Sequence, residues 1–307
     1  MSTEKYDTNK YNKSKYNHTN YPYMIYKNDL KYKNEKILDK KRIIFFDKET
    51  EKAYYEENCD SVEYRLKECE SNKYEYLDLS NMNLKIFPII SMQILLKIKF
   101  LFINNNNLEK LDELKLMNNL EVLDISNNNF SSIDYLPLKM KELSCKYNNI
   151  KNICSHLNLK SLICSHNKLN ELKIYSNLEY LECCQNNIKH IINCPKLKKL
   201  ICRNNNIENI DDLMYLEYLD ISFNKLNKIN IFPNLIDLLC RSNNIKSLPE
   251  LNNLVYLEMY DNLIEIIDFY PKLKELQCNN KNIKISKKYN ISSAKEYKNK
   301  YLVIEFH

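Results

Sequence analysis

Apolar and polar residues recur along this chain at fixed offsets, and the set of offsets itself repeats. In LKKLICRNNNI, from Leu197, leucine stands at positions one and four, cysteine at six, asparagine at nine and isoleucine at eleven. The same frame reads LKSLICSHNKL from Leu159, LEYLECCQNNI from Leu178, LEYLDISFNKL from Leu216, LIDLLCRSNNI from Leu235, LVYLEMYDNLI from Leu254 and LKELQCNNKNI from Leu273, in steps of nineteen residues. Looser copies precede them: YEYLDLSNMNL from Tyr74, IKFLFINNNNL from Ile98, LEVLDISNNNF from Leu120 and MKELSCKYNNI from Met140. Eleven copies therefore fill residues 74 to about 286.

Apolar groups at positions one, four and six do not share one face of a simple helix or strand. They suit a short strand entered and left by bends. The motif uses eleven positions of nineteen, and the remaining eight can cross back as extended chain or a 3₁₀ turn, but hardly as a substantial α-helix. The first two spacings, 24 and 22, leave room for single helical turns near Ile90–Lys97 and Glu109–Leu116.

These segments resemble the leucine-rich repeat family. Their short repeat, Cys at position six and Asn/Lys-rich composition look most like the leucine-rich repeat proteins of giant DNA viruses of amoebae, of the mimivirus type. The resemblance implies a solenoid of the α/β horseshoe class, with a parallel sheet on the concave face and a convex side mostly extended or 3₁₀. It also implies that the asparagines at position nine (Asn106, Asn128, Asn148, Asn167, Asn186, Asn205, Asn224, Asn243 and Asn262) form a ladder to backbone groups of neighbouring coils. Met82 and Lys281 hold that position in the first and last copies, so both ends depart from the motif.

Position six holds Cys145, Cys164, Cys183, Cys202, Cys240 and Cys278. Other copies have Leu79, Ile103, Ile125, Ile221 or Met259 there, which identifies a core slot filled by a small apolar thiol. A column of parallel thiols can neither bridge easily nor surround a metal tetrahedrally. Cys154–His156 and Cys164–His166 have zinc-like spacing, but within the frame Cys164 points inward and His166 outward. No metal and no cofactor are expected.

Composition changes the picture little. The chain of 307 residues has no glycine and no tryptophan, which reads as the mark of an AT-rich genome. Tight backbone positions usually given to glycine are expected to hold asparagine instead. No glycine-rich phosphate loop can exist, and the histidines show no repeated pairing with an acid or nucleophile, so an enzyme is not expected. The net charge of +6 is mild and does not by itself imply nucleic acid. No apolar run is long enough to span a bilayer, and the N-terminus lacks an apolar signal core. The expected location is the cytoplasm (the host's, if the chain is viral), with no secretion. Eleven cysteines would there stay reduced, and the sequons at Asn17, Asn129 and Asn290 carry no glycan meaning.

A second period runs through the array. Even copies carry Tyr180 with Glu182, Tyr218 with Asp220 and Tyr256 with Glu258; odd copies carry Ile201 with Arg203 and Leu239 with Arg241. The unit is thus thirty-eight residues, broken where Met140 and Leu159 begin two odd-type copies in succession. Two readings stay open. Duplication copied these residues, and acids and bases pair across strands; or they form a strip, with Tyr147 and Phe223 at position eight, that binds a protein partner, of the host if the chain is viral.

Residues 1–35 read as a disordered Lys/Asn/Tyr-rich tail, which gives the alternative function of a nucleic-acid-associated protein acting through that tail. Residues 36–73 read as an N-terminal cap of a strand and a helix, the helix beginning near Asp47. Residues 74–286 are the repeats, and 287–307 a C-terminal cap ending in a strand over KYLVIEFH.

Overall fold

The structure is a computed structural model and describes residues 43–47, 52–55, 61–192, 194–279, 283–297 and 301–306. The tail expected at 1–35 and Lys281 lie outside these residues. The chain divides into two compact units between Glu57 and Asn58.

In the first unit, Ile43–Asp47 and Lys52–Tyr55 pair antiparallel. This corrects the expectation of a helix starting near Asp47. Both runs, IIFFD and KAYY, are rich in β-branched or aromatic residues, and pairing them as a hairpin outweighs the acidic signal for a helix start. Helix α1 spans Val62–Ser71 in the second unit, with Ser61 as its N-cap, its Oγ accepting from the Tyr64 N–H at 3.2 Å. Cys69 is buried in the common core, and Val62 and Leu66 pack against it.

The second unit is a parallel solenoid. Eleven strands, Tyr76–Asp78, Phe100–Phe102, Val122–Asp124, Glu142–Ser144, Ser161–Ile163, Tyr180–Glu182, Lys199–Ile201, Tyr218–Asp220, Asp237–Leu239, Tyr256–Glu258 and Glu275–Asn279, lie side by side in chain order and are called rungs one to eleven. The register is constant: position four pairs with position four throughout, as in Leu181 with Leu200 and Leu219 with Leu238. The last rung pairs antiparallel with Tyr301–Phe306, which pairs in turn with Ile291–Tyr297. That hairpin supplies the edge of the sheet, with Ile304 and Phe306 in the core.

Between rungs one and two lies helix α2, Met92–Lys97, and between rungs two and three a 3₁₀ turn, Asp112–Leu116. These are the places where the longer spacing leaves room for them. The nineteen-residue coils have no helix among their described residues; short parallel pairs such as His190–Ile191 with Asn209–Ile210 line part of their far side.

Every cysteine of position six is fully buried, in one core with the leucines of positions one and four. The nine asparagines form the expected ladder. Asn205 Nδ2 donates to the Cys183 carbonyl of the preceding coil at 2.9 Å and to the Cys202 carbonyl of its own at 3.2 Å. Its Oδ1 accepts from the Ile188 N–H at 3.0 Å. Both ends of the amide are thus satisfied, as a buried asparagine requires.

The residue beside the ladder behaves differently from the expectation. Position eight is left-handed in ten consecutive coils, from Asn81 (φ 63°) to Asp261 (φ 53°). Asparagine fills it at Asn81, Asn105, Asn127 and Asn204, but Tyr147, His166, Gln185, Phe223, Ser242 and Asp261 fill it elsewhere. The cross-coil hydrogen bonds explain this. The Phe223 N–H donates to the Arg241 carbonyl at 2.7 Å and the Tyr147 N–H to the Ser165 carbonyl at 3.0 Å, holding the turn whatever its side chain.

A further ladder escaped the sequence reading. The asparagine just before position one bonds back one coil, Asn158 to the Leu138 carbonyl, Asn177 to Leu157, Asn234 to Met214 and Asn253 to Pro233, all at 2.7–2.8 Å.

Candidate concave binding face

Within each rung, position four points into the core and positions three and five to the other face, because successive strand residues alternate. Tyr180, Tyr218 and Tyr256 therefore share one column, two rungs or about 10 Å apart. Each is half-buried. Tyr180 and Tyr256 donate their hydroxyls to the carboxylates of Glu182 (3.0 Å) and Glu258 (3.4 Å) in the same strands. The Tyr–x–Glu spacing thus makes a local hydrogen-bonded pair.

Lys199, at position three of the odd rung between Tyr180 and Tyr218, was not among the sequence candidates. Its ammonium lies 4.6 Å from the Tyr218 ring centroid and 5.7 Å from that of Tyr180. Burial pulls its pKa down, and Glu182, Asp237 and Asp220 oppose that. The sequence signal was available in the shared position, but the odd copies drew attention to positions five and seven instead.

Arg203 Nε donates to the Asp220 carboxylate on the next rung. Both oxygens of Asp220, which is 1% exposed, are engaged within the chain: one anchors the arginine from beneath and the other accepts the Ser222 N–H at 3.2 Å. Burial pushes its carboxyl up, and Arg203 and Ser222 offset part of that. Leu239 is likewise buried, whereas Ile201, Glu182 and Glu258 are half-buried. Arg241 lies over the rings of Phe223 (5.3 Å) and Tyr260 (5.9 Å) and faces Asp261 at 3.8 Å. Among the named residues the most open are the aromatic pair at position eight, Tyr147 at 47% and Phe223 at 42% exposure. Tyr147 stacks on His166 at 4.0 Å between centroids.

The zinc-like pairs come apart. His156 is buried, bonded through Nε2 to the Pro137 carbonyl at 2.8 Å, and its Nδ1 accepts from the Asn158 N–H at 3.3 Å. Cys164 is in the core while His166 is outside it. Among the described residues no group of three or more His, Cys, Asp or Glu could hold a metal ion. Cys184, the half-buried neighbour of Cys183, has its thiol pushed up to about 12 by burial, which leaves almost no thiolate near neutrality. Among the described residues no helix is long and apolar enough to cross a membrane.

The thirty-eight-residue period also has structural correlates on the flank of the sheet. At position two, Lys99 of coil two pairs with Glu75 of coil one (2.8 Å), Lys141 of coil four with Glu121 of coil three (2.6 Å) and Lys198 of coil seven with Glu179 of coil six (3.1 Å). Lys139, Lys196 and Lys272 reach Asn119, Asn177 and Asn253 in the same sense.

Comparison with known proteins agrees with this geometry. No family model matches the chain. A leucine-rich repeat protein of Acanthamoeba polyphaga mimivirus is 34% identical over 115 residues, which are 35% of this chain and 21% of that protein. The chain thus spans about a fifth of that relative's length. Among solved structures, a leucine-rich repeat protein of Leptospira interrogans matches with 26% identity and a TM-score of 0.53, over 62% of this chain and 55% of that one. The LRIM1/APL1C complex matches with 21% identity and a TM-score of 0.54, over 70% and 47%. The leucine-rich repeat protein FLRT2, in a complex with Latrophilin 3 and Unc5D, matches with 20% identity and a TM-score of 0.53, over 67% and 81%. By its repeated motif, its asparagine ladder and its parallel solenoid, the chain has the leucine-rich repeat fold.

Proposed function

We propose that this protein is a non-enzymatic scaffold that holds a protein partner on the concave face of its solenoid. The observation that carries the reading is the aromatic and cationic strip of rungs six to ten. There Tyr180, Lys199, Tyr218 and Tyr256 form one column at a spacing fixed by the sheet, beside Arg203 and Arg241. Aromatic and arginine side chains dominate binding hot spots, and a rigid sheet has little ordering cost to meet on association. Ten rung intervals span about 48 Å, enough for a standard-sized interface. The solved leucine-rich repeat neighbours include members of protein–protein complexes, which supports the reading. A cytoplasmic site of action goes with it, as expected of a chain with eleven cysteines and no apolar run long enough to span a bilayer.

The test is capture of a partner from the native cell by the full chain, repeated with Tyr180, Tyr218 and Tyr256 all changed to alanine. The folded triple variant is expected to lose the partner. Retention at unchanged affinity rules the strip out. Loss only on deletion of residues 1–35, with steep salt dependence, would select the nucleic-acid reading of the tail instead.

A further inference from the structure

Glu142 and Ser161 occupy position three of rungs four and five and are partners across the parallel ladder. Their strands send Leu143 and Leu162 into the core and these two side chains to the concave face. Glu142 is 3% exposed and Ser161 2%, and neither Glu142 Oε2 nor Ser161 Oγ has a hydrogen-bond partner among the described residues. Buried polar atoms are rarely left this way.

Other acids on the same face are served from within the chain. Asp78 accepts the Ser80 N–H, Asp124 the Ser126 N–H, Glu182 the Tyr180 hydroxyl and Glu258 the Tyr256 hydroxyl. Glu142 differs because the two-coil alternation breaks here. Rungs four and five both lack the position-three tyrosine, so Glu142 has no tyrosine hydroxyl beside it and meets Ser161 on the next rung. Across positions three, five and seven the face carries eight acids against four bases, so it favours cations.

We propose that Glu142 and Ser161 form a subsite for a primary ammonium, the side chain of a lysine presented by the protein partner. The inference rests on the concave face being the binding face. An ammonium carries three donors on one nitrogen and can serve a carboxylate oxygen and a hydroxyl on neighbouring strands together. A guanidinium fork matches the two oxygens of a single carboxylate, whereas the orphaned acceptors here belong to two residues. Burial also pushes the Glu142 carboxyl up to about 7, so a cation beside it would bring it back down. The charged groups nearest in the sheet are Asp124 on the preceding rung, Lys141 and Lys146 on its own coil and Glu182 two rungs on.

The experiment uses the full chain, labelled with carbon-13 at glutamate carboxyls, and n-butylammonium chloride as the probe. Saturable shifts are expected at the Glu142 carboxyl and at the amides of rungs four and five, together with a lowered Glu142 titration midpoint. Glu142→Gln should abolish the saturable amide shifts, and Ser161→Ala should weaken them roughly three- to tenfold. n-Butylguanidinium should bind more weakly and tetramethylammonium, which has no N–H, not at all. Absence of saturation, an equal response to tetramethylammonium, or an unchanged response in Glu142→Gln overturns the subsite. Its failure is separable from that of the strip. A partner lost with the three tyrosines, in a chain that ignores butylammonium, removes the subsite alone. A responsive subsite in a chain whose partner survives the tyrosine changes removes the strip alone.

Discussion

The ammonium of Lys199 lies 4.6 Å from the ring centroid of Tyr218, on the neighbouring rung, and 5.7 Å from that of Tyr180 on the other side. The cation joins two tyrosines of the column into a continuous stack. In a partly desolvated setting such a contact contributes about 0.5–2 kcal/mol. A double-mutant cycle of Lys199→Met and Tyr218→Leu, read by urea unfolding, should give a coupling energy of about that size. A coupling indistinguishable from zero would show that the rings and the ammonium merely share a column.

The ladder asparagine is a separate matter of backbone satisfaction. Removing Asn205 orphans the Ile188 N–H and takes one of two amide donors from each of the Cys183 and Cys202 carbonyls, which keep Asn186 and Asn224. Asn205→Ala should cost on the order of 1–3 kcal/mol. Asn205→Asp should cost a comparable amount or more, since a carboxylate keeps the acceptor but loses both donors. Denaturant midpoints of the two variants check this; an aspartate variant as stable as the parent would sink the donor argument.

The left-handed turns give a prediction of the opposite sign. Phe223 stands at φ 60° without a glycine's freedom. Left-handed backbone costs a side chain with a Cβ roughly 1–2 kcal/mol, and asparagine tolerates it better. Phe223→Asn should therefore hold or raise stability by up to about 1 kcal/mol, less whatever the Arg241 contact at 5.3 Å contributes. Asn127→Val, at φ 55° in the same position of another coil, should lower it. Thermal midpoints of the pair should move in opposite directions.

Glu142 makes stability depend on pH. Burial raises its folded-state pKa from 4.5 to about 7, so the native state holds more protons than the unfolded chain between those values. Stability contributed by this site therefore falls as pH rises through that window and is fully lost above about 7. The penalty has an upper bound of about 3 kcal/mol. Glu142→Gln should match the parent near pH 4 and exceed it near pH 8. Parallel stability–pH profiles for the two proteins would exclude the shift.

The thiols are expected to be inert. The six position-six cysteines are fully buried, and the half-buried Cys184 has its thiol held up near 12. In the native protein these residues should resist a water-soluble disulfide reagent, and all should react after unfolding. Rapid native labelling at Cys202 would contradict the core assignment.

Several of these features are legible in the chain alone. The nineteen-residue step, the buried column of cysteine with isoleucine and methionine, and the asparagine ladder follow from residues that recur at the same place in each coil. The reason is physical: identical coils stacked in register give each position one environment, so eleven copies report it repeatedly. The short turns between the first three rungs are readable for the same reason, from coil length. What depends on the join between particular coils is not readable this way. The hairpin of 43–55 rests on strand pairing that local helix signals obscure. Whether position eight is left-handed cannot be told from phenylalanine or tyrosine there, because bonds from the next coil impose it. The burial of Asp220 beneath Arg203, the place of Lys199 between two rings and the orphaned pair at Glu142 and Ser161 arise from side chains meeting across rungs about 4.8 Å apart. Only the stacked structure decides which neighbour each of them meets.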